Sequence, residues 1–342
     1  MGHVRTVLGD VAPDMIGPAL MHEHVLFDIV PPGATGDRDV PIALRDRWQI
    51  DYLSNASPAN AHQTDVAVAT AELTALAGDG GSLIVDQSVF GLSRDAGGLV
   101  RASQDSGVHV VAAAGTYTAA FLDPATLALD ASALTKRFTA EITQGLDGTG
   151  IRAGLIGEIG CSWPLHPFER RALAAAARCQ AATGAAISVH PGRHPHACAE
   201  ILDILHAEGA DLTRVILCHM DRTHPDGDGI QPLLDRGATV EWDFFGIEQS
   251  HYWMSDDTEL PTDLGRLRLI RRFADLGHAA QIAISQDICT RTRLRTWGGH
   301  GYGHILRNVR RLMARLEFSP TLVAALIRDT PLRMLTLTEN TA

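Results

Sequence analysis

Two histidines flank a glutamate at His22-Glu23-His24, and Glu158, His190, His219 and Asp287 each close a separate short apolar run. Imidazole and carboxylate are the ligands that suit zinc and similar divalent ions. Side chains alternate along an extended strand, so His22 and His24 point to one side, the interior of whatever sheet carries them. An isolated HxH pair is a weak signal, more often two ordinary core or surface histidines than a metal site. The recurrence is what strengthens it, because in barrels of parallel strands functional groups collect at the carboxyl ends. Tyr117 closes a further run and joins the candidates.

The elements that must position these residues are eight apolar runs, each followed by a segment of helical period. The expected strands are 18–25, 82–89, 109–117, 152–159, 185–190, 214–220, 238–245 and 281–288. Helices are expected at 64–77, 95–106, 132–146, 168–183, 196–208, 228–236, 263–276 and 304–316, with a ninth at 320–329. Several of them end at glycine, as at Gly184, Gly209 and Gly277, where a left-handed residue can close the last turn. Near-continuous apolar strands between helices indicate a parallel sheet covered on its outer face. A doubly wound open sheet shares that alternation, but no GxGxxG follows the first strand and polar residues gather at nearly every strand end. The expected fold is therefore an α/β (β/α)8 TIM barrel with long βα loops at the carboxyl rim, 26–62, 117–131, 246–262 and 288–303, in a single domain over 1–342.

Composition excludes several classes. A net charge of -11 without any basic run argues against nucleic acid, whose phosphates need a basic face. No stretch reaches the roughly 18 apolar residues of a membrane span, and the start of the chain lacks a secretory signal, so a cytoplasmic protein is expected. The 5 cysteines, odd in number and without CxxC spacing, read as free thiols, small buried hydrophobes rather than metal ligands. The expected partner is a small-molecule substrate, and a homodimer is compatible with the chain.

The segments MHEHV, GEIG, VHPGR, CHMDRT and QDICTRTRL, in this order and spacing, resemble the phosphotriesterase family of the amidohydrolase superfamily. The stretch VDQSVFGLSRDAGGLVRASQDSGVHVVAAAG is similar as well, and GEIGCSWPL and GGHGYGHI resemble the phosphotriesterase-related branch. The likeness runs from about Val4 to Leu337. It implies two divalent metal ions, zinc foremost: one held by His22, His24 and Asp287, a more exposed one by His190 and His219, with Glu158 bridging. The parent enzymes bridge with a carboxylated lysine, whereas the only lysine here is Lys136, on a helix before the fourth strand. Two ions sharing a water would lower its pKa and yield a hydroxide nucleophile, with Asp287 as general base.

Two departures bear on substrate. Where the parent enzymes carry an aspartate and a histidine that relay the proton in triester hydrolysis, this chain has Arg222 and Phe244. Tyr117 stands where lactonase-like relatives have tyrosine and triesterases tryptophan. Both favour an ester, lactone or amide over a phosphoester, with a non-catalytic binder of a small ligand as the reading from another class. Arg193, Arg222 and Arg291 follow three of the ligands by three or four residues and are expected at the pocket mouth. Guanidinium groups pair with carboxylate, sulfonate or phosphate, so an anionic substrate is expected. Asp221, Glu241 and Asp243 are expected behind the ligand histidines, and His300, His304 and Trp297 either in the pocket or fixing the last loop.

Overall fold

The computed structural model describes residues 2–53, 57–249, 251–252, 254–255 and 257–337. Positions 54–56 of the expected 26–62 loop and 250, 253 and 256 of the 246–262 loop lie outside the described residues, as do 1 and 338–342.

Eight strands form one parallel sheet in sequential order: β1 (Ala19–Glu23), β2 (Leu83–Asp86), β3 (His109–Ala114), β4 (Leu155–Gly160), β5 (Ile187–His190), β6 (Val215–Leu217), β7 (Thr239–Trp242) and β8 (Ile282–Ile284). Seven fall inside the runs expected from the sequence and β4 runs one residue past its expected end, to Gly160, and nearly every strand residue is buried on both faces. Helices alternate with them: α1 (Val66–Gly78), α2 (Ala96–Ser106), α3 (Ala131–Thr143), α4 (Pro167–Thr183), α5 (Ala197–Ala207), α6 (Ile230–Asp235) and α7 (Asp263–Phe273), followed by Arg310–Arg315 after β8. Local chemistry sets their ends. Asp65, Asp95, Asp130 and Thr262 each accept a hydrogen bond from the first turn of the helix they precede. Gly184 closes α4 at φ +71°, a conformation that side chains with a Cβ resist.

The sheet curls until β8 meets β1, and the seam is closed by irregular bonds. Asp287 N donates to His22 O at 3.0 Å, and His22 N donates to Ser285 Oγ at 2.9 Å. Glu23, the residue between the two histidines, lies outside the barrel interior and accepts from Ser285 Oγ, Gln286 N and Nε2, and Ile288 N, at 2.8–3.1 Å. This fully buried carboxylate fixes the first strand against the last, and with them His22, His24 and Asp287. Glu23→Ala should cost about 3 kcal/mol or more in chemical denaturation, since buried amides left without partners cost about 1–3 kcal/mol each. A loss below about 0.5 kcal/mol, the range of an inert surface change, would show the seam holds without it.

Two features are absent from the sequence reading. His3–Thr6, Gly9–Val11 and Thr336–Leu337 form an antiparallel sheet under the barrel, where Val7 N donates to Val110 O at 2.8 Å. The strands β6 and β8 also end earlier than expected, because His219 and Asp287 adopt φ +58° and +46° and the chain leaves the strand before them. Inside the barrel the lower layers are apolar, built from Met21, Val85, Val111, Leu155, Ala186 and Ile216. Above them the interior turns polar. No helix among the described residues is long and apolar enough to cross a membrane.

Candidate metal centre

At the carboxyl rim the six expected ligands converge. His22 comes from β1, Glu158 from β4, His190 from β5, and His24, His219 and Asp287 from the segments just beyond β1, β6 and β8. Glu158 faces the histidines with both oxygens: Oε1 lies 3.5 Å from His24 Nε2, and Oε2 lies 3.0 Å from His190 Nδ1 and 3.5 Å from His219 Nε2. Asp287 Oδ1 lies 3.3 Å from His24 Nε2 and 3.7 Å from His22 Nε2. Two groups, His22-His24-Glu158 and Glu158-His190-His219, each bring their ligand atoms within 4.8 Å of one another, and Glu158 belongs to both.

The donor set fits divalent ions. His22 is fully buried, and neither of its ring nitrogens has a hydrogen-bond partner, a costly arrangement for a polar group unless something else engages it. The carboxylates are held ionised. Burial works to raise Glu158, but the hydrogen bond from His190 and the surrounding imidazoles bring it well below the usual carboxylate range. Asp287 is likewise pulled down, its burial outweighed by His24 and then by the fields of His219 and His22. Burial lowers His190 to about 4, and together with Arg222 and His190 it holds His219 well below the usual imidazole value, so both rings stay in the neutral form that ligates metals. His24 moves the other way, because Asp287 and Glu158 outweigh its burial.

Groups behind the ligands orient them. Asp243 accepts from His219 Nδ1 and His219 N, both at 2.9 Å, and so holds that residue in its left-handed conformation. Ser88 Oγ lies 3.0 Å from His24 Nδ1, leaving Nε2 for the centre. Glu241 and Asp243 both lie 3.6 Å from His22 Nδ1. Asp221 serves at one remove, accepting from Asp243 N at 2.9 Å while paired with the fully buried Arg266. Arg266 gave no sign in the sequence, because its meaning depends on an ion pair across 45 residues.

Tyr117, Arg193, Arg222 and Phe244 line a small cavity of about 60 Å³ together with His24, Glu158, His190, His219 and Asp287. Tyr117 packs edge-on against His190 with ring centres 5.1 Å apart. Arg222 is buried and donates to Pro191 O at 2.8 Å and toward His190 Nε2 at 3.1 Å. Burial pulls its guanidinium below the usual value, and it forms no ion pair with a carboxylate among the described residues. Arg193 stands at the solvent side, donating to Tyr252 Oη at 2.8 Å and contacting Met254 Sδ at 3.1 Å, with no carboxylate partner among the described residues. Arg291 is not brought to this cavity. It donates to Arg38 O at 3.1 Å and packs over Trp297, because the chain turns away after Thr290. His304 pairs with Asp263 at 2.7 Å and fixes the last loop, and His300 packs beside Gly246. Tyr252 and Met254 were missed as cavity residues; their signal was an aromatic-rich stretch in a long βα loop.

The model of the Phosphotriesterase family matches residues 2–335. The chain is 36% identical to the N-acetyltaurine hydrolase of Rattus norvegicus over 342 residues, covering 98% of each. Among solved structures it is similar to a resiniferatoxin-binding protein from Rhodobacter sphaeroides, with a TM-score of 0.91 and 31% identity over 98% of this chain and 95% of that one. It is also similar to the phosphotriesterase homology protein of Escherichia coli, solved with phosphate in its active site, with a TM-score of 0.77 and 26% identity over 94% and 99%.

Proposed function

The chain belongs to the phosphotriesterase family of metal-dependent hydrolases, and from that premise we propose that it cleaves a carbonyl–heteroatom bond, an amide before an ester or lactone, in a small anionic substrate. The observation that carries this reading is one cavity in which a doubly shared carboxylate, Glu158, adjoins two guanidinium groups that have no carboxylate partner among the described residues. The reading takes 1–342 as one barrel domain. His22, His24 and Asp287 would hold one ion and His190 and His219 the other, with Glu158 contributing to both; zinc suits this nitrogen and oxygen set. Divalent ions bound there lower the pKa of water toward neutrality and polarise the carbonyl oxygen.

The chain's own groups do the rest. Water adds to the carbonyl carbon, Asp287 takes its proton, and the carbon–nitrogen bond breaks as that proton passes to the leaving amine. The products are a carboxylic acid and an amine, which become carboxylate and ammonium as the acid's proton passes to the amine. Tyr117 and Phe244 narrow the approach, and Arg193 and Arg222 hold the anionic end of the substrate. The rat relative's named substrate, N-acetyltaurine, is an amide carrying a sulfonate, which agrees with that division of labour. Phe244 in place of a relay histidine speaks against phosphotriesters, and a neutral triester would gain nothing from the arginines.

A panel tests this directly. N-acetyltaurine and N-acetylglycine should exceed N-acetylglycine methyl ester by about tenfold or more in kcat/KM, a difference of about 1.4 kcal/mol. That is modest beside the roughly 1.5–3 kcal/mol of a hydrogen bond to a charged group. Arg193→Ala should erase the preference with metal content unchanged. Equal turnover of neutral and anionic amides by the wild type would remove the arginines from substrate binding.

A further inference from the structure

A second cavity adjoins the metal centre. It has a volume of about 320 Å³ and lies between the loops that follow β1, β7 and β8. It shares Phe244, Tyr252, Met254, Asp287 and Cys289 with the small cavity around Glu158, so the two meet at the general base. Arg47, Asp51, Glu248, Arg293 and His300 line part of the large cavity, and an apolar wall lines the rest. On the small side stand Arg193 and Arg222, and the space, about 60 Å³, is roughly that of two water molecules at about 30 Å³ each. On the large side Phe244, Tyr252 and Leu260 form a buried apolar cluster, with Ile247 and Met254 packed against it. The large cavity is the size of a ligand pocket, typically about 300–1,000 Å³, and is more than a two-carbon acyl group fills.

The geometry points to a substrate held in one orientation: we propose that this chain hydrolyses N-acyl amino acids or amino sulfonic acids with a short acidic head and a medium-length or aromatic acyl group, the head at Arg193 and Arg222 and the acyl tail in the Phe244-Ile247-Leu260 cavity. The inference rests on the reading of the centre as a hydrolase and adds the substrate's shape to it. In this orientation the small cavity takes an acidic head whose nitrogen and acid are one or two carbons apart. Apolar burial of each added methylene then improves binding until the large cavity is full. Hydrolysis adds water across the amide, releasing the fatty or aromatic carboxylate on the large side and the amino acid on the small side.

The test is a chain-length series on the metal-loaded protein, from N-acetyl- to N-hexanoyl-, N-octanoyl- and N-benzoylglycine. N-octanoylglycine is expected to exceed N-acetylglycine in kcat/KM by at least about tenfold. Leu260→Trp, or Ile247→Trp should the first variant not fold, is expected to bring that ratio to about one or below. Calorimetry on the Asp287→Asn variant gives a second readout that needs no turnover: N-octanoylglycine should bind at least about tenfold more tightly than N-acetylglycine. If glycine amides are cleaved but the acetyl compound is preferred, the tail assignment is overturned while the proposed reaction stands. If no amide is cleaved yet the octanoyl compound still binds more tightly, the tail cavity is supported and the reaction is overturned.

Discussion

Replacing Asp287 by asparagine should lower kcat by about 10²–10⁴, the range associated with losing a positioned acid or base, while KM changes little. The expectation rests on where Asp287 stands. Its Oδ1 lies 3.3 Å from His24 Nε2, at the point where the large and small cavities meet, and its backbone N is fixed to His22 O across the barrel seam. The carboxylate is held well below its usual range, because His24 and the fields of His219 and His22 outweigh burial. A carboxylate so stabilised is a weak base alone, so in the proposed reaction it would act on a proton that divalent ions, when bound, make acidic. Asparagine keeps the shape and removes the charge. Since the same side chain is a proposed ligand, metal content belongs in the same experiment, and a fully metallated variant with wild-type kcat would remove Asp287 from proton transfer.

Glu158→Gln should leave the barrel folded and reduce bound metal sharply, with activity falling in parallel by about 10²-fold or more, the scale of losing a principal electrostatic stabiliser. Glu158 presents Oε1 to His24 and Oε2 to His190 and His219, so one negative charge is shared between the two halves of the centre. A carboxylate between two cations offsets their repulsion, and an amide of the same shape does not. Added bicarbonate should do nothing to the wild type, because Lys136, the only lysine, sits on α3 rather than at the rim. Activation by bicarbonate would mean a carbamate bridge. Retained metal in a folded Glu158→Gln protein would take the bridging role from this residue.

Much of this architecture was legible before any coordinates. The eight strands could be read because each is buried on both faces and has polar residues at or near its carboxyl end, and His22 and His24 could be assigned to one side by alternation alone. Residues that act at a distance could not. Glu23 reads as the inert middle of an HxH pair, yet it ties β1 to β8 across more than 260 positions. Arg193 and Arg291 follow their strands at nearly the same offset, and only the course of the chain separates them. A loop from β7 brings Tyr252 and Met254 to hold Arg193 at the cavity, whereas the turn at Arg291–Arg293 carries Arg291 onto Trp297. The shortened ends of β6 and β8 were hidden for a similar reason. A positive φ at His219 or Asp287 is costly for a residue with a side chain and is sustained by tertiary bonds, such as those of Asp243 to His219.

The central claim is that these six side chains hold two divalent ions on which hydrolysis depends, and metal analysis of the purified protein tests it most directly. The account predicts about two ions per chain, removed by a chelator together with activity and restored with it by Zn²⁺, Mn²⁺ or Co²⁺. A metal content near zero in an active protein, or activity indifferent to chelation, would contradict it.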